Sequence, residues 1–368
     1  MKKFKKIIIF ARKFLSTLFF NLLYGKIYLP KKVNKSFYRN YVVKFRNSKN
    51  YKLHLMKNTR IFYNKITDVA YINNNNFIRE TSNQLRNYKN SKFRENSVFI
   101  NGTHNFIKRL RGPVFSFLYS VSAKDNYWHW IFDVLPKIAI LKKKFNLKQI
   151  EYFLFPEISN RFQIESLNVL KIPLKKRVSG HKYNHIFSEK IISCDHPFIF
   201  NDMLKDQKKI PEWIGRWYKE IIVQSRIKKK KKLYKIYIDR SDSKNTLRKI
   251  VNEEELKKYL KSKSFKIVKL SQMSFLDQIR TFYNSNCVLG LHGAGFANIV
   301  FCRPKTKIIE IGTTHKSKNI IFSLAKSNKL KYRCIFFDSV KNHSQFLLSS
   351  RHQDQHIKVD INKLKKII

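Results

Sequence analysis

His129 and Asp133 stand four apart in NYWHWIFDVLPKI (126–138), a spacing that puts both side chains on one face of a helix. An imidazole and a carboxylate so related can take a proton from a hydroxyl, one as base and the other fixing its tautomer. Which is which is open at this level. By spacing alone the favoured reading is a core histidine that Asp133 merely orients, with Trp128 and Trp130 buried beside it. The second constellation is His292-Gly293-Ala294-Gly295, set between the apolar stretches 287–291 and 296–301. A buried strand, a turn of small residues and a short helix are expected there, the helix pointing free N–H groups and its positive dipole end into the turn. Phosphate or another anion fits such a turn, and so does a tight turn that binds nothing.

These residues need a scaffold, and the chain beyond Lys228 predicts one. Strands over 233–238, 265–270, 287–291, 307–312 and 332–337 alternate with helices over 252–259, 274–283 and 318–327. Asn252 with Glu255 resembles a capping box, and Ser274 is a capping residue. This alternation predicts a doubly wound parallel sheet, whose ligands sit at the carboxyl ends of its strands. Arg240, the 292–295 loop and Glu310 fall at those ends, with Arg248 in the loop before the first helix. Two arginines, a helix start and a carboxylate suit a nucleoside diphosphate and a sugar hydroxyl. Asn298, just beyond the loop, is counted with them. No G-x-G-x-x-G follows the first of these strands and no P-loop occurs anywhere, which excludes P-loop phosphoryl transfer and weakens a dinucleotide reading.

At 368 residues, 43% hydrophobic and 14% aromatic, the chain can bury cores for two domains despite its charge. The net charge is +53, from 77 Lys and Arg against 24 Asp and Glu. A field this positive attracts acidic membranes and polyanions without specificity. A non-catalytic nucleic-acid or polyanion binder is the competing class, but the lysines are spread along the chain and no nucleic-acid-reading motif occurs. Cys194, Cys287, Cys302 and Cys334 show no C-x-x-C spacing and read as buried thiols of a reducing compartment. His181 with His185, and His352 with His356 around Asp354, have metal-like spacing but bring no third ligand.

The first half reads less regularly. Phe4, Ile8, Ala11, Leu15, Leu18 and Leu22 recur at helical spacing among Lys2, Lys3, Lys5, Lys6, Arg12 and Lys13. Residues 1–29 therefore predict a basic amphipathic helix, either lying in an anionic membrane surface or packed on its own domain. The uncharged stretch 14–23 is well short of the roughly 20 residues that span a bilayer, and no signal-peptide cleavage site follows it. Residues 31–94 show a weak pattern, with Asn73-Asn74-Asn75-Asn76 as a turn. Strands are expected at 98–101, 114–120, 152–155 and 186–194. A helix is expected at 161–172, and another that starts at Pro211. Asp125 or Asn126 would cap the helix of His129, whose buried stripe is Trp128, Ile131, Leu135, Ile138 and Leu141. Lys228–Lys232 marks the candidate domain boundary.

YIDRSDSKNTLRKIVNEEEL (237–256), the segment 274–311 around HGAG, and NYWHWIFDVLPKI resemble glycosyltransferase family 61, also described as DUF563 or capsular polysaccharide biosynthesis proteins. The resemblance covers about 126–338. It implies an α/β GT-B architecture of two facing Rossmann-like domains with parallel sheets. Residues 30–227 would form the acceptor side and 228–345 the nucleotide-sugar side, with 1–29 as the membrane-surface helix and 346–368 as a basic tail. It further implies inverting transfer, with His129 and Asp133 on the acceptor side and Arg240, Arg248, His292, Gly293, Ala294, Gly295, Asn298 and Glu310 on the donor. No metal or other cofactor is implied, and a glycan or lipid-linked glycan is the expected acceptor. The expected location is cytoplasmic, peripheral at the inner face of the membrane. Leu291, Asp239 and Lys305 depart from the family's common proline, Ser or Thr, and glycine, and Asp239 brings a negative charge beside a phosphate ligand.

Overall fold

Continuous apolar stretches need cover on both faces, and in the second half they receive it. A computed structural model describes residues 2–64, 68–86, 89–119, 126–198, 202–206, 208–241, 248–312, 319–338, 340 and 356–368. The chain divides into two units, Met1–Asp206 and Gln207–Ile368. In the second, five parallel strands lie in the order Phe265–Lys269, Tyr234–Asp239, Ser285–Leu291, Lys307–Gly312, Lys331–Phe336. Ile236, Ile238, Val288, Leu289, Ile308 and Ile309 along them are buried. Because the first strand in sequence lies between the second and third, the winding reverses between Tyr234–Asp239 and Ser285–Leu291. That reversal opens a crevice at the carboxyl ends of the two strands.

Helices Glu253–Ser262, Phe275–Tyr283 and Asn319–Ser327 occur where the sequence predicts them, and the Ser274 side chain caps the second by accepting from the Asp277 amide. Two expectations change. The division falls ahead of the lysine run, because helix Glu212–Gln224 packs on this unit, with Tyr218 edge-on to Phe301 at 5.2 Å. The C-terminal residues 356–368 are not a separate tail: Ile357, Val359 and Leu364 are buried in the same core as Leu256 and Leu289. Asn252 stands at the N-cap position and its side-chain amide donates to Glu255 Oε2 at 3.0 Å, but it makes no side-chain cap bond to a helix amide. Its amide donates to the Val359 carbonyl and accepts from the Val359 N–H, both at 2.9 Å.

The first unit holds an eleven-stranded sheet. The strands Arg177–Ser179, Tyr152–Phe155, Pro113–Ser116 and His185–Cys194 run parallel. The parallel sheet expected of this unit ends there, since Tyr51–Asn64 and the strands beyond it, Asp68–Asn73 and Asn83–Arg86, pair antiparallel. Antiparallel neighbours need no crossover helix. The asparagine run makes a tight turn: Asn74 and Asn75 take left-handed backbone (φ 43° and 61°) between Asp68–Asn73 and Asn76–Phe77. Residues 98–101, expected as a strand, belong instead to a short helix, Ser97–Asn101, with Asn96 accepting from the Val98 amide.

The N-terminal helix, Lys2–Tyr24, ends at Gly25 in the left-handed conformation that stops helices. Its last turn is docked. The Tyr24 hydroxyl accepts from the Ile107 amide at 3.2 Å, its ring lies edge-on to His185, and Phe20 meets Phe106. Phe14, Leu15, Leu18 and Leu22 stay exposed. No helix among the described residues is long and apolar enough to cross a membrane. His185 is a core residue, with Nδ1 2.7 Å from the Asn105 carbonyl and a pKa pushed down to about 4 by burial. His352 and Asp354 lie outside the described residues.

Candidate active site

In the first unit the site is built on a helical segment with a change of pitch. Asn126 is the cap, its side chain accepting from the Trp128 amide, and Tyr127–His129 begin as an α-turn. Trp130–Val134 widen into a π-turn, and after Pro136 the helix resumes as Lys137–Lys142. Such widened turns occur often at functional sites. The predicted stripe is buried, but so are Trp130, Phe132, Val134 and Ile140, so the segment is a core helix and not an amphipathic one. His129 Nδ1 and Asp133 Oδ2 are 2.8 Å apart. An ionised Asp133 only accepts, so Nδ1 carries the proton and the Nε2 lone pair is left to act as base.

Electrostatics fit that assignment. Burial works against a charged His129, but the charge and hydrogen bond of Asp133 outweigh it and hold the imidazole pKa above its ordinary value. Burial likewise opposes ionisation of Asp133, and His129 and then His196 outweigh it, holding the carboxyl well below the usual range. His196 is a member that sequence reasoning missed. Its Nδ1 accepts from the Phe198 amide at 3.2 Å, which leaves the proton on Nε2, 3.7 Å from Asp133 Oδ2. Lys137, one turn beyond Asp133, was missed too. It is fully buried, donates to the Phe117 carbonyl at 2.9 Å, and burial lowers its pKa. Only an HP pair just after a predicted strand could have hinted at His196.

In the second unit the predicted residues gather at the crevice. The His292 carbonyl accepts from both Arg240 and Arg248, the latter at 3.2 Å. Gly293 is extended, and a Cβ on it would lie 2.7 Å from Arg240 Nη1. The short helix expected after the loop is Ala294–Phe301, wound as a 3₁₀ helix. Glu310 is buried, with one oxygen on His292 Nδ1 and the other accepting from the Tyr332 hydroxyl. Both oxygens are therefore engaged, and Glu310 orients His292. Asn298 is also turned inward, donating to Gln278 Oε1 at 3.0 Å and to the Gly295 carbonyl at 3.3 Å. A Cβ on Gly295 would lie 2.9 Å from Leu270 Cδ1, so that glycine serves packing. Asp239 does not spoil the positive charge here, because Lys257 pairs with it at 3.0 Å and the Ser241 amide donates to it.

Among the described residues no three His, Cys, Asp or Glu side chains group as metal ligands. Residues 127–309 match the model of the family described as Glycosyltransferase 61. No curated protein matches the chain.

Proposed function

The chain belongs to glycosyltransferase family 61 and is a glycosyltransferase, and we propose that it transfers a hexosyl or pentosyl group from a nucleotide-sugar to a glycan hydroxyl with inversion. The observation that carries this reading is the convergence of Arg240 and Arg248 on the His292 carbonyl at the sheet's switch point. Two guanidinium groups beside a half-buried loop of small residues suit the diphosphate that departs when the glycosidic bond breaks. They supply positive charge themselves, and the reading includes no metal ion. On the other substrate, His129 Nε2 takes the hydroxyl proton while Asp133 holds the ring and stabilises the imidazolium that results. The GT-B division of labour follows, with the donor on the second unit and the acceptor on the first.

The exposed Phe14, Leu15, Leu18 and Leu22 on the N-terminal helix, following six basic residues between Lys2 and Lys13, support attachment to an anionic membrane surface. A lipid-linked acceptor in surface polysaccharide synthesis fits that placement. The deciding experiment is calorimetry of the full chain against UDP-, GDP-, dTDP- and CMP-sugars, followed by product analysis with the one that binds. Binding of a single nucleotide class with transfer to a glycan is expected. Absence of any nucleotide site would end the proposal.

A further inference from the structure

The first unit contains a cavity of about 290 Å³ that no part of the proposed chemistry yet uses. Its wall reaches the candidate base through His196, which lines the cavity and lies 3.7 Å from Asp133. The lining is unusual for this chain. In a protein of net charge +53 it holds one arginine, Arg79, two carboxylates, Glu80 and Asp195, and no lysine. A diphosphate or other polyanion has nothing to gain there.

The groups present suit hydroxyls, which both donate and accept. Asp195 is held in place from behind: the Lys52 amide donates to one oxygen at 2.8 Å and His54 Nε2 lies 3.2 Å from the other. The Tyr38 hydroxyl, 2.7 Å from His54 Nδ1, fixes that ring in turn. Arg79 Nε and Ser91 Oγ are buried and make no hydrogen bond among the described residues. Buried polar atoms are normally paired, so two orphans in one cavity point to a ligand that pairs them. Phe93, under the Arg79 guanidinium at 5.8 Å, and Tyr119, packed on His196, bring aromatic rings to the lining. At about 290 Å³ the space is at the small end of ligand pockets, room for one sugar ring.

We infer that this cavity is the subsite for the acceptor, taking one neutral pyranose ring of the glycan beside His129–Asp133–His196. The inference rests on the transferase reading for its role, but the site itself does not. Arg79, Glu80, Ser91 and Phe93 precede the residues matched by the family model, 127–309, so the acceptor preference they set belongs to this chain's own N-terminal segment.

The test is saturation-transfer NMR of the full chain with the methyl α- and β-glycosides of glucose, galactose and mannose, and with UDP, GDP, dTDP and CMP in parallel. At least one glycoside should receive saturation. Arg79→Met and Glu80→Ala should each weaken it tenfold or more, with melting temperature and nucleotide affinity kept. No glycoside binding to wild type, or equal binding in both variants, would leave only a hydrated cavity and overturn the inference. A chain that binds a glycoside through Arg79 and Glu80 but no nucleotide would instead sink the proposed transfer from a nucleotide-sugar and leave the sugar site standing.

Discussion

The Arg240 guanidinium occupies the space that a side chain on Gly293 would need, with Nη1 2.7 Å and Cζ 2.8 Å from the position of its missing Cβ. The glycine is there because the arginine lies across the loop to reach the His292 carbonyl. Gly293→Val should therefore push Arg240 off the loop and abolish nucleotide binding, because the far end of a flexible side chain gives way before the sheet does. Far-UV circular dichroism should stay near wild type. Melting temperature and nucleoside-diphosphate affinity measured on the same samples decide the matter: a folded Gly293→Val protein with unchanged affinity would take the donor site away from this loop.

The pair His129–Asp133 predicts a pH profile. His129 must be neutral to accept a proton, and Asp133 holds its pKa above the ordinary value of about 6.5. The acid limb of kcat/KM should then fall above that pH and move lower in Asp133→Asn, where the charge is gone. His129→Ala should cost turnover about a hundredfold or more with nucleotide binding kept. The stability that the imidazolium gains from Asp133 is present at low pH and is lost as pH rises through the raised His129 pKa. An Asp133→Asn enzyme with the wild-type acid limb would return the pair to a structural role.

The candidate site of the second unit was legible because parallel strands buried on both faces are continuous apolar runs, and the residues after them are at the carboxyl edge by construction. Arg240 and His292 could be read off that way. His196 could not. It meets Asp133 because Pro113–Ser116 pairs with His185–Cys194, Phe115 beside Ile192, which brings the two strand ends together across about 80 residues of chain. Sequence spacing carries no trace of such a register. The same holds for Asn252 and Val359, 107 residues apart, and for the roles of Glu310 and Asn298, whose partners lie on neighbouring strands and helices.

Lys305 takes φ 70°, the left-handed region, where the family commonly has glycine. An L side chain there is strained by roughly 1 kcal/mol or more, whereas glycine is not. Lys305→Gly should raise the melting temperature of the second unit by a few degrees at most, since glycine's greater freedom in the unfolded chain offsets part of the gain. A clear fall in melting temperature would show that the lysine makes contacts worth more than the strain.

The exposed helix face gives a membrane prediction that is independent of catalysis. Leu15→Glu with Leu18→Glu and Leu22→Glu should leave melting temperature unchanged, since these side chains are at least half exposed. Sedimentation with phosphatidylglycerol vesicles should be lost. Binding that persists in the triple variant, and disappears only with high salt, would assign it to the general positive charge instead.

The last prediction concerns residues 356–368. Arg248 stands two residues before Ile250, which bridges to Ile357, and the Ile357 amide donates to the Lys249 carbonyl at 3.0 Å. The C-terminal segment thus straps the loop that presents Arg248. Ile357, Val359 and Leu364 are also among the most buried side chains of the unit. Burial of each is worth about 1.5–3 kcal/mol, so together they approach the whole stability of a domain, roughly 5–15 kcal/mol. Deleting 356–368 should unfold the second unit and leave the first folded. A milder change separates the strap from the core: Asn252→Ala removes both hydrogen bonds to Val359, costs about 1–3 kcal/mol, and should weaken nucleotide binding by loosening Arg248. Thermal unfolding and nucleotide affinity of both variants test this, and a truncated chain that binds nucleotide like wild type would make the segment a tail after all.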